Sequence, residues 1–350
     1  MGRHQTTCLA LALTLLFACS ASTNGGGGGG GSGGAGGDGG TGGAGGTGGV
    51  VPTECEGDVG DEIAVPTDES DTGWEPQVPE GVYRSVEVPP RPESCGAEYG
   101  YVAKVLGWIV APGGKPLPGA YAQVCIYAAS GTYVCLNPSE ADEEGVFEID
   151  VPEFVRCVDS VAMRASLPNS PRAVVYCPFA PGDEPVTRLE DPIVLPFLPL
   201  AAELPAMSEE ETREVALPDG LRLEVSPSLL PYGCEDYARL GGRRIPTDAV
   251  GLCGEAPQLD GLYAFRPEGT VFDPGFAFTL ENASGLPAGA RVELLVLGGL
   301  ATSLRDGTAV PEGEWVVFGE GQVSEDGTTI VPDEGVTLPF LTWLGYRLKD

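Results

Sequence analysis

Histidine is almost absent from this sequence. The 350 residues contain one histidine, His4, which lies in an apolar leader. The rest of the chain therefore has no imidazole for general acid–base catalysis, for a Ser-His-Asp or Cys-His nucleophile, or for a zinc ligand. No other feature of the sequence excludes as many functions. We expect a protein that is not an enzyme and that needs no cofactor.

Basic residues are also scarce. Lys and Arg together number 19, against 51 Asp and Glu, which gives a formal net charge of -32. Because such a surface repels phosphate, we expect no nucleic-acid partner and no direct binding to anionic lipid headgroups. The acidity has two interpretations, namely solubility in a salty medium or a surface for divalent cations or polycations. The first is favoured.

The start of the chain, at positions 1–18, reads as a signal peptide. Arg3 precedes the apolar run "CLALALTLLFA", which is too short to span a bilayer. The "LFAC" that ends at Cys19 resembles the bacterial lipoprotein box, with small residues before a cysteine. The resemblance implies that Cys19 becomes the lipidated N-terminus, and Ser20, where retention would need Asp, favours the outer membrane. The alternative is ordinary secretion with cleavage nearby.

A glycine-rich tether follows at residues 19–50. Glycine fills the stretch from Gly25 to Gly49, and another amino acid interrupts it only at every third position from Ser32. That period is also collagen's, but the segment has no proline, so a flexible coil is favoured. Its root-mean-square reach is roughly 25–30 Å. Residues 51–98 are acidic and Pro-rich, and we expect an extended segment stapled to the next domain through Cys55 or Cys95.

The remaining composition favours short strands. The chain contains 53 Gly and 32 Pro, and it is rich in Val, Ile, Tyr and Phe. We therefore predict an all-β fold of two antiparallel β-sandwich domains, at residues 99–200 and 201–350, after the signal peptide and the disordered linker. Asp219-Gly220 and Asp326-Gly327 each separate two alternating runs and predict hairpins.

Eight cysteines remain when Cys8 and Cys19 are set aside. An even number in an exported chain predicts disulfides, and eight cysteines permit 105 pairings. No C-x-x-C motif occurs, so the sequence supports neither a thioredoxin-like site nor a zinc ribbon. The eight are Cys55, Cys95, Cys125, Cys135, Cys157, Cys177, Cys234 and Cys253.

One pairing follows from hairpin geometry. In "YAQVCIYAASGTYVCLN" two strand-like runs flank Ala129-Ser130-Gly131, a three-residue loop with Gly131 in the left-handed conformation. That loop sets Cys125 opposite Cys135, within reach of a disulfide on the outer face of the hairpin. Sequence proximity then suggests the pairs Cys157–Cys177 and Cys234–Cys253, which leaves Cys55–Cys95.

Two stretches resemble known all-β families. "GWIVAPGGKPLPGAYAQVCIY" with the later "ADEEGVFEIDVP" resembles the carboxypeptidase regulatory-like (transthyretin-like) domain, over the first half of the domain predicted at 99–200. The resemblance implies a structural or adhesive spacer, and some relatives bind carbohydrate. The residues that carry it are Gly107, Gly114, Pro116, Leu117, Pro118, Gly119, Ala120, Val124, Asp142, Gly145, Phe147, Ile149, Val151 and Pro152.

The second resemblance covers most of the domain predicted at 201–350. "PEGTVFDPGFAF" and "WVVFGEGQVSEDGT", with a closing aromatic segment, resemble the all-β domain shared by ankyrins, zonula-occludens proteins and netrin receptors. It implies an interaction or structural module with no catalytic residues, and Gly275 departs from its usual second proline. The residues that carry it are Pro267, Gly269, Thr270, Phe272, Asp273, Pro274, Trp315, Val316, Gly319, Gly321, Val323, Ser324, Asp326, Gly327, Thr328 and Trp343.

Few side chains are candidates for ligand binding. Asp68 and Asp71 in one acidic cluster, and Asp142 in another, could ligate calcium, but neither cluster has the EF-hand spacing, and we expect solvated loops. Trp108, Trp315 and Trp343 fall in predicted strands, so we expect them in the core. Trp74 lies outside the strands and is the better candidate for stacking on a sugar.

Three classes of function remain open. The leading hypothesis is a lipid-anchored surface protein with a structural or adhesive role, whose partner is an unknown surface protein or polysaccharide. The alternative is a carbohydrate-binding surface module. An enzyme would require a pocket with two carboxyls of raised pKa, as in glycoside hydrolysis, and the many acids of the sequence give no specific sign of one.

Overall fold

Short strands separated by turns make up nearly all of the regular structure. The fold is all-β, as predicted, and its sheets fit β-sandwich domains. The computed structural model describes Cys55 and residues 77–181, 184–201, 204–247, 257–271 and 273–349. Within these residues the α-helix is the single turn Cys234–Tyr237, and no helix has the length and apolarity to cross a bilayer.

The first half of the described chain forms two sheets from ten strands. The strands are β1 (Gly100–Tyr101), β2 (Lys104–Val110), β3 (Tyr121–Ala128), β4 (Tyr133–Cys135), β5 (Ser139–Glu140), β6 (Val146–Asp150), β7 (Cys157–Ser166), β8 (Val175–Pro178), β9 (Val186–Arg188) and β10 (Ile193–Val194). The larger sheet has β1, β7, β3 and β4 in that order, with β5 beside β3 and β8 beside β7, and all its pairs are antiparallel. The smaller sheet has β10, β2 and β6, with β9 also on β2.

Parallel pairing is the one departure from the antiparallel expectation. β2 pairs in parallel with both β9 and β10. β9 lies beside the first three residues of β2 and β10 beside its last two, so the chain follows β2 in one direction through both pairings. Each of these pairings covers two or three residues.

The second half forms one antiparallel sheet of nine strands. The strands are β11 (Arg213–Ala216), β12 (Arg222–Val225), β13 (Gly241–Arg244), β14 (Gly261–Thr270), β15 (Ala277–Glu281), β16 (Arg291–Leu297), β17 (Trp315–Val323), β18 (Thr329–Pro332) and β19 (Phe340–Leu348). Their order in the sheet is β11-β12-β15-β18-β17-β16-β19-β14-β13. The hairpins predicted at Asp219-Gly220 and Asp326-Gly327 are confirmed as β11–β12 and β17–β18.

The two halves share part of one core. The core of the first half also contains five buried side chains of the second: Ile245, Leu262, Ala264, Leu297 and Trp343. The indole N–H of Trp343 donates to the Val174 carbonyl at 2.7 Å. An isolated β-bridge joins Leu200 to Gly241. In the described ranges no strand ladder of more than one residue pair links the two halves. Packing of apolar side chains therefore joins them, and the boundary at residue 200 stays a prediction.

Tryptophans behave largely as the sequence indicates. Trp108 and Trp343 are buried in the core, which confirms the expectation, and Trp315 is half-buried against it. The ring N–H of Trp108 donates to the Glu144 carbonyl at 2.8 Å. Neither buried indole is left without a hydrogen-bond acceptor.

The Cys125–Cys135 disulfide is confirmed together with its hairpin. Cys125 lies opposite Cys135 in the β3–β4 pairing, and Gly131 has φ +79°. Alternation along the two strands predicts Val124, Ile126, Val134 and Leu136 on the core side. Val124, Ile126 and Leu136 are buried there, and Val134 is partly buried against the core. The turn sets the register, so this pairing could be worked out from local sequence.

The other three predicted pairings are wrong. Cys157 bonds to Cys95, and Cys234 bonds to Cys55, so the pairs Cys157–Cys177, Cys234–Cys253 and Cys55–Cys95 do not form. Cys177 is also disulfide-bonded. Cys253 lies outside the described residues.

Strand order explains the error. β1 pairs with the start of β7, which brings the segment before β1 beside Cys157 and places Cys95 within 5.6 Å (Cα–Cα) of it. The backbone of Cys55 forms an isolated β-bridge with that of Met207, and the Cα atoms of Cys55 and Cys234 lie 5.1 Å apart. Both cysteines of residues 51–98 thus link that segment covalently to the rest of the chain. Cys95 links it to the first half, and Cys55 links it to the second.

Replacing Trp343 with Phe tests the link between the halves. The variant keeps an aromatic ring but leaves the Val174 carbonyl without its donor, so we expect a loss of about 1–3 kcal/mol in the free energy of unfolding. Urea unfolding followed by circular dichroism measures it. Trp315→Phe, at a half-buried position on β17, which β16 separates from β19, is the matched control and should cost less than half as much. Equal losses would contradict the role assigned to Trp343.

Candidate functional site

A loop of the second half covers part of the larger sheet of the first half. We call residues 298–314, between β16 and β17, the junction loop. At Gly313, with φ +80°, a Cβ would clash with Pro178 on β8, so only glycine allows this approach. Gly299 lies against the ring of Tyr176. Buried Thr302 fixes the loop by accepting a hydrogen bond from the Gly299 N–H at 3.0 Å.

Two carboxyls of the second half are buried at this junction. Glu268 on β14 accepts a short hydrogen bond from the hydroxyl of Tyr176. Both oxygens of Glu312, in the junction loop, are closed off from water and have no hydrogen-bond partner. Burial raises the pKa of both carboxyls, and the charge of Glu268 raises that of Glu312 further. Burial thus favours the protonated form of this acid pair.

Arg164 on β7 opposes that shift. It lowers the pKa of Glu268 and Glu312, but burial outweighs it at both. Tyr176 is buried next to Glu268, and burial first, then the nearby charge, raises the pKa of its hydroxyl well above the usual range. The tyrosine therefore keeps its proton and remains a hydrogen-bond donor.

The acid pair does not lie in an open cleft. Substrate would have to touch both carboxyls for glycoside hydrolysis. The oxygens of Glu312 have no access to solvent, and Glu268 is held by Tyr176. As it stands, the pair is part of a packed junction.

Glu312 also lies next to the hairpin disulfide. One carboxylate oxygen of Glu312 and the sulfurs of Cys125 and Cys135 lie within 4.8 Å of one another. In the described part of the chain this is the one convergence of three possible metal ligands. Because both sulfurs are bonded to each other, they are not thiolate ligands, and the group is not a metal site in this state.

Next to this cluster, an aromatic pair remains exposed. Tyr127 and Tyr133 are paired across β3 and β4, with ring centroids 4.5 Å apart and planes inclined by 36°. Their exposed fractions are 52% and 46%. The outer face of the sheet is thus divided into a part covered by the junction loop and a part open to solvent. The sequence predicts the disulfide on the outer face of the hairpin, and there the junction loop places Glu312 beside it and Cys125 is 2% exposed.

Most of the predicted ligand residues lie outside the described residues. These are Cys19, Asp68, Asp71 and Trp74. Asp142 is described and exposed, and its carboxylate accepts the backbone N–H groups of Glu144 at 3.1 Å and Val146 at 2.8 Å. It shapes the turn before β6 and belongs to no described group of metal ligands.

A polar surface depression lies where β16 and β19 pair, beside the start of β14. Its volume is about 650 Å³, and its lining includes Asp260, Glu293 and Arg347. Arg347 pairs with Glu293 at 2.7 Å, and Asp260 accepts the Leu348 N–H at 2.6 Å. These polar groups are engaged with one another, so the depression offers a ligand little that is unpaired.

No family model matches the chain, and no curated protein matches it.

Replacing Glu312 with Gln should change how stability depends on pH. A carboxyl whose pKa is raised by folding binds its proton more tightly in the folded state, so it stabilises the fold at low pH. This stabilisation is complete below the pKa of the unfolded chain, about 4.3, and is lost as the pH rises through the pKa of the folded state. Above that window the wild type carries an unpaired buried charge that Gln lacks. We expect E312Q to melt at a higher temperature than the wild type at pH 7–8, with the difference vanishing near pH 4.

The control for this variant is Glu314→Gln. Glu314 is exposed two residues along the same loop, so its replacement should leave the pH profile unchanged. Thermal melts from pH 4 to pH 8 measure both variants. A lower melting temperature for E312Q at pH 8 would show that Glu312 is an ion-pair partner and would contradict the burial argument.

Proposed function

We propose that this chain is a lipid-anchored cell-surface protein whose β-rich body makes structural or adhesive contacts and performs no catalysis. In this proposal residues 1–18 are the signal peptide, Cys19 carries the lipid in the outer membrane, and the glycine-rich segment sets the body away from the bilayer. Several acyl chains on one cysteine would make the anchor stable.

The position of the Cys55–Cys234 disulfide carries the proposal. Cys55 stands six residues after Gly49, where the glycine-rich segment ends, and its disulfide spans 179 residues. All of the strands of the first half lie inside that covalent loop. A stretching force on an anchor at the N-terminal end would therefore be transmitted through the Cys55–Cys234 disulfide to the second half, and the first half would not be extended. Such a crosslink suits an adhesive protein that must resist mechanical force.

The remaining disulfides point to the same environment. Cys95–Cys157 lies inside the loop closed by Cys55–Cys234, and Cys125–Cys135 lies inside that of Cys95–Cys157. Disulfides persist in exported proteins and are rare in the cytosol. Their number supports export, which the leader also predicts.

A non-catalytic role is supported by what the buried groups do. No histidine follows His4, and the acid pair at the junction is covered. The functional surface is then an exterior one, as an interaction module requires.

Replacing Cys19 with Ser tests the anchor. The variant lacks the thiol that would receive the lipid, so we expect it to leave the membrane fraction and appear in soluble fractions. Cys8→Ala, in the part of the leader that would be removed, is the matched control and should stay with the membrane. Immunoblots of fractionated cells measure the distribution, and protease treatment of intact cells shows whether the body faces outward. Membrane retention of C19S equal to that of the wild type would refute lipid anchoring.

A further inference from the structure

The strand β4 lies at an open edge of the larger sheet. It pairs with β3 on one side, and no strand of the described chain pairs with it on the other. The Ala128 N–H donates to the Thr132 carbonyl at 2.8 Å. The Leu136 N–H donates to the Val124 carbonyl, also at 2.8 Å. Because hydrogen-bonded and non-hydrogen-bonded pairs alternate along an antiparallel ladder, both neighbours of Val134 turn their backbone groups away from β3.

These two neighbours are Tyr133 and Cys135. Within the part of the chain that the structure describes, their backbone N–H and C=O groups have no hydrogen-bond partner. The pairing of β3 with β4 has no register shift, so no bulge turns the edge away from an approaching strand. The open edge therefore offers a row of backbone donors and acceptors to a further strand.

Three other edge strands of the molecule are protected. The edge strand β6 of the smaller sheet carries Glu148 and Asp150, and β11 carries Arg213 and Glu214. The edge strand β13 is covered by residues 199–201, which form backbone hydrogen bonds with it. Charged side chains and covering segments prevent further strands from adding to an edge. The edge at β4 has neither kind of protection.

The absence of charge around β4 bears on what can pair with it. Residues 121–139, which include β3 and β4, contain no Asp, Glu, Lys or Arg, although 20% of the whole chain is charged. Two copies of a chain with a net charge of -32 repel each other. That repulsion is weakest where neither surface carries a charge. The neutral edge is therefore the place at which two copies can approach closely.

We propose that two copies of this chain associate edge to edge through β4, in antiparallel pairing about a two-fold axis at Val134. Tyr133 of each copy then lies opposite Cys135 of the other, and each of these pairs exchanges both of its backbone hydrogen bonds. The same edge is used in both copies, as a two-fold symmetric interface requires. The inference goes beyond the proposed function, since it concerns contacts between copies and does not depend on the lipid anchor.

This register keeps like charges apart. Thr132 lies opposite Leu136 of the second copy, and Tyr133 lies opposite Cys135, so no charged side chain faces another across the pairing. The carboxyl of Glu312 lies beside Cys135, but its oxygens are closed off from water beneath the junction loop. An antiparallel pairing of β4 with itself therefore satisfies the open backbone groups at little electrostatic cost.

Sedimentation equilibrium of the full chain carrying Cys19→Ser tests the pairing. This chain has no thiol at position 19 to receive a lipid, so it can be measured without detergent. Because the edge is short, we expect a reversible dimer with a dissociation constant on the order of 10–100 µM. A chain that stays monomeric up to about 200 µM would overturn the proposal. The anchor is tested by membrane fractionation, so the two failures are distinguishable.

Two substitutions at Tyr133 separate backbone pairing from side-chain contact. Proline in Y133P lacks the N–H that points away from β3, and it leaves the hydrogen bonds between β3 and β4 in place. We expect Y133P to raise the dissociation constant at least about tenfold. Y133A is the matched control, because it loses the same ring but keeps the N–H, and it should dimerise like the parent chain. Equal dissociation constants for Y133P and Y133A would contradict the pairing.

Hydrogen exchange tests the same contact without any substitution at the edge. The amides of Tyr133 and Cys135 should exchange more slowly at about 200 µM than at about 2 µM, because pairing occupies them in the dimer. Mass spectrometry of the peptides that span β4 measures this protection. A non-reducing peptide map checks that Cys125–Cys135 is intact in Y133P, and if that variant misfolds, the exchange data decide. A dimer that leaves these amides unprotected would place the contact elsewhere and overturn the proposal.

Discussion

The disulfide between Cys55 and Cys234 is the covalent constraint that encloses the first half of the described chain. It closes a loop of 179 residues in which the whole first half is formed, and two shorter disulfides lie nested inside it. In the chain-entropy model, closing a loop of this length stabilises the fold by roughly 5 kcal/mol, because the unfolded chain loses freedom. The first half is therefore an insertion into a body that begins at Cys55 and continues from β11.

The junction between the halves follows from that arrangement. With both ends of the first half fixed on the second, β14, β19 and the junction loop pack against the larger sheet and share its core. This packing buries the carboxyls of Glu268 and Glu312, of which the second has no partner. Burying an unpaired acid lowers stability unless it holds its proton. The loop covers only part of the sheet, and the tyrosine pair lies on the part that stays open.

Local sequence patterns predicted local structure well. Gly131 and the Asp-Gly turns fix the register of their hairpins, and alternation then decides which side chains are buried. For this reason Cys125–Cys135 and the core positions of Trp108 and Trp343 are confirmed. The other disulfides depend on β1 pairing with β7 and on the path of Cys55 past Met207. Neighbouring cysteines in sequence carry no information on such contacts between distant segments.

The site itself was harder to predict. Glu268 and Glu312 are two acids among 51, and no spacing distinguishes them from those that remain solvated. Their environment arises only when the junction loop meets the first half.

The most direct test of this arrangement is a disulfide map of the purified protein. Digestion without reduction, followed by mass spectrometry of the linked peptides, identifies each pair. The structure predicts peptides that join Cys55 to Cys234 and Cys95 to Cys157, besides the hairpin pair. A peptide that joins Cys55 to Cys95 would contradict it, since the first half would then no longer lie within one covalent loop. A peptide that joins Cys157 to Cys177 would contradict the Cys95–Cys157 pairing alone.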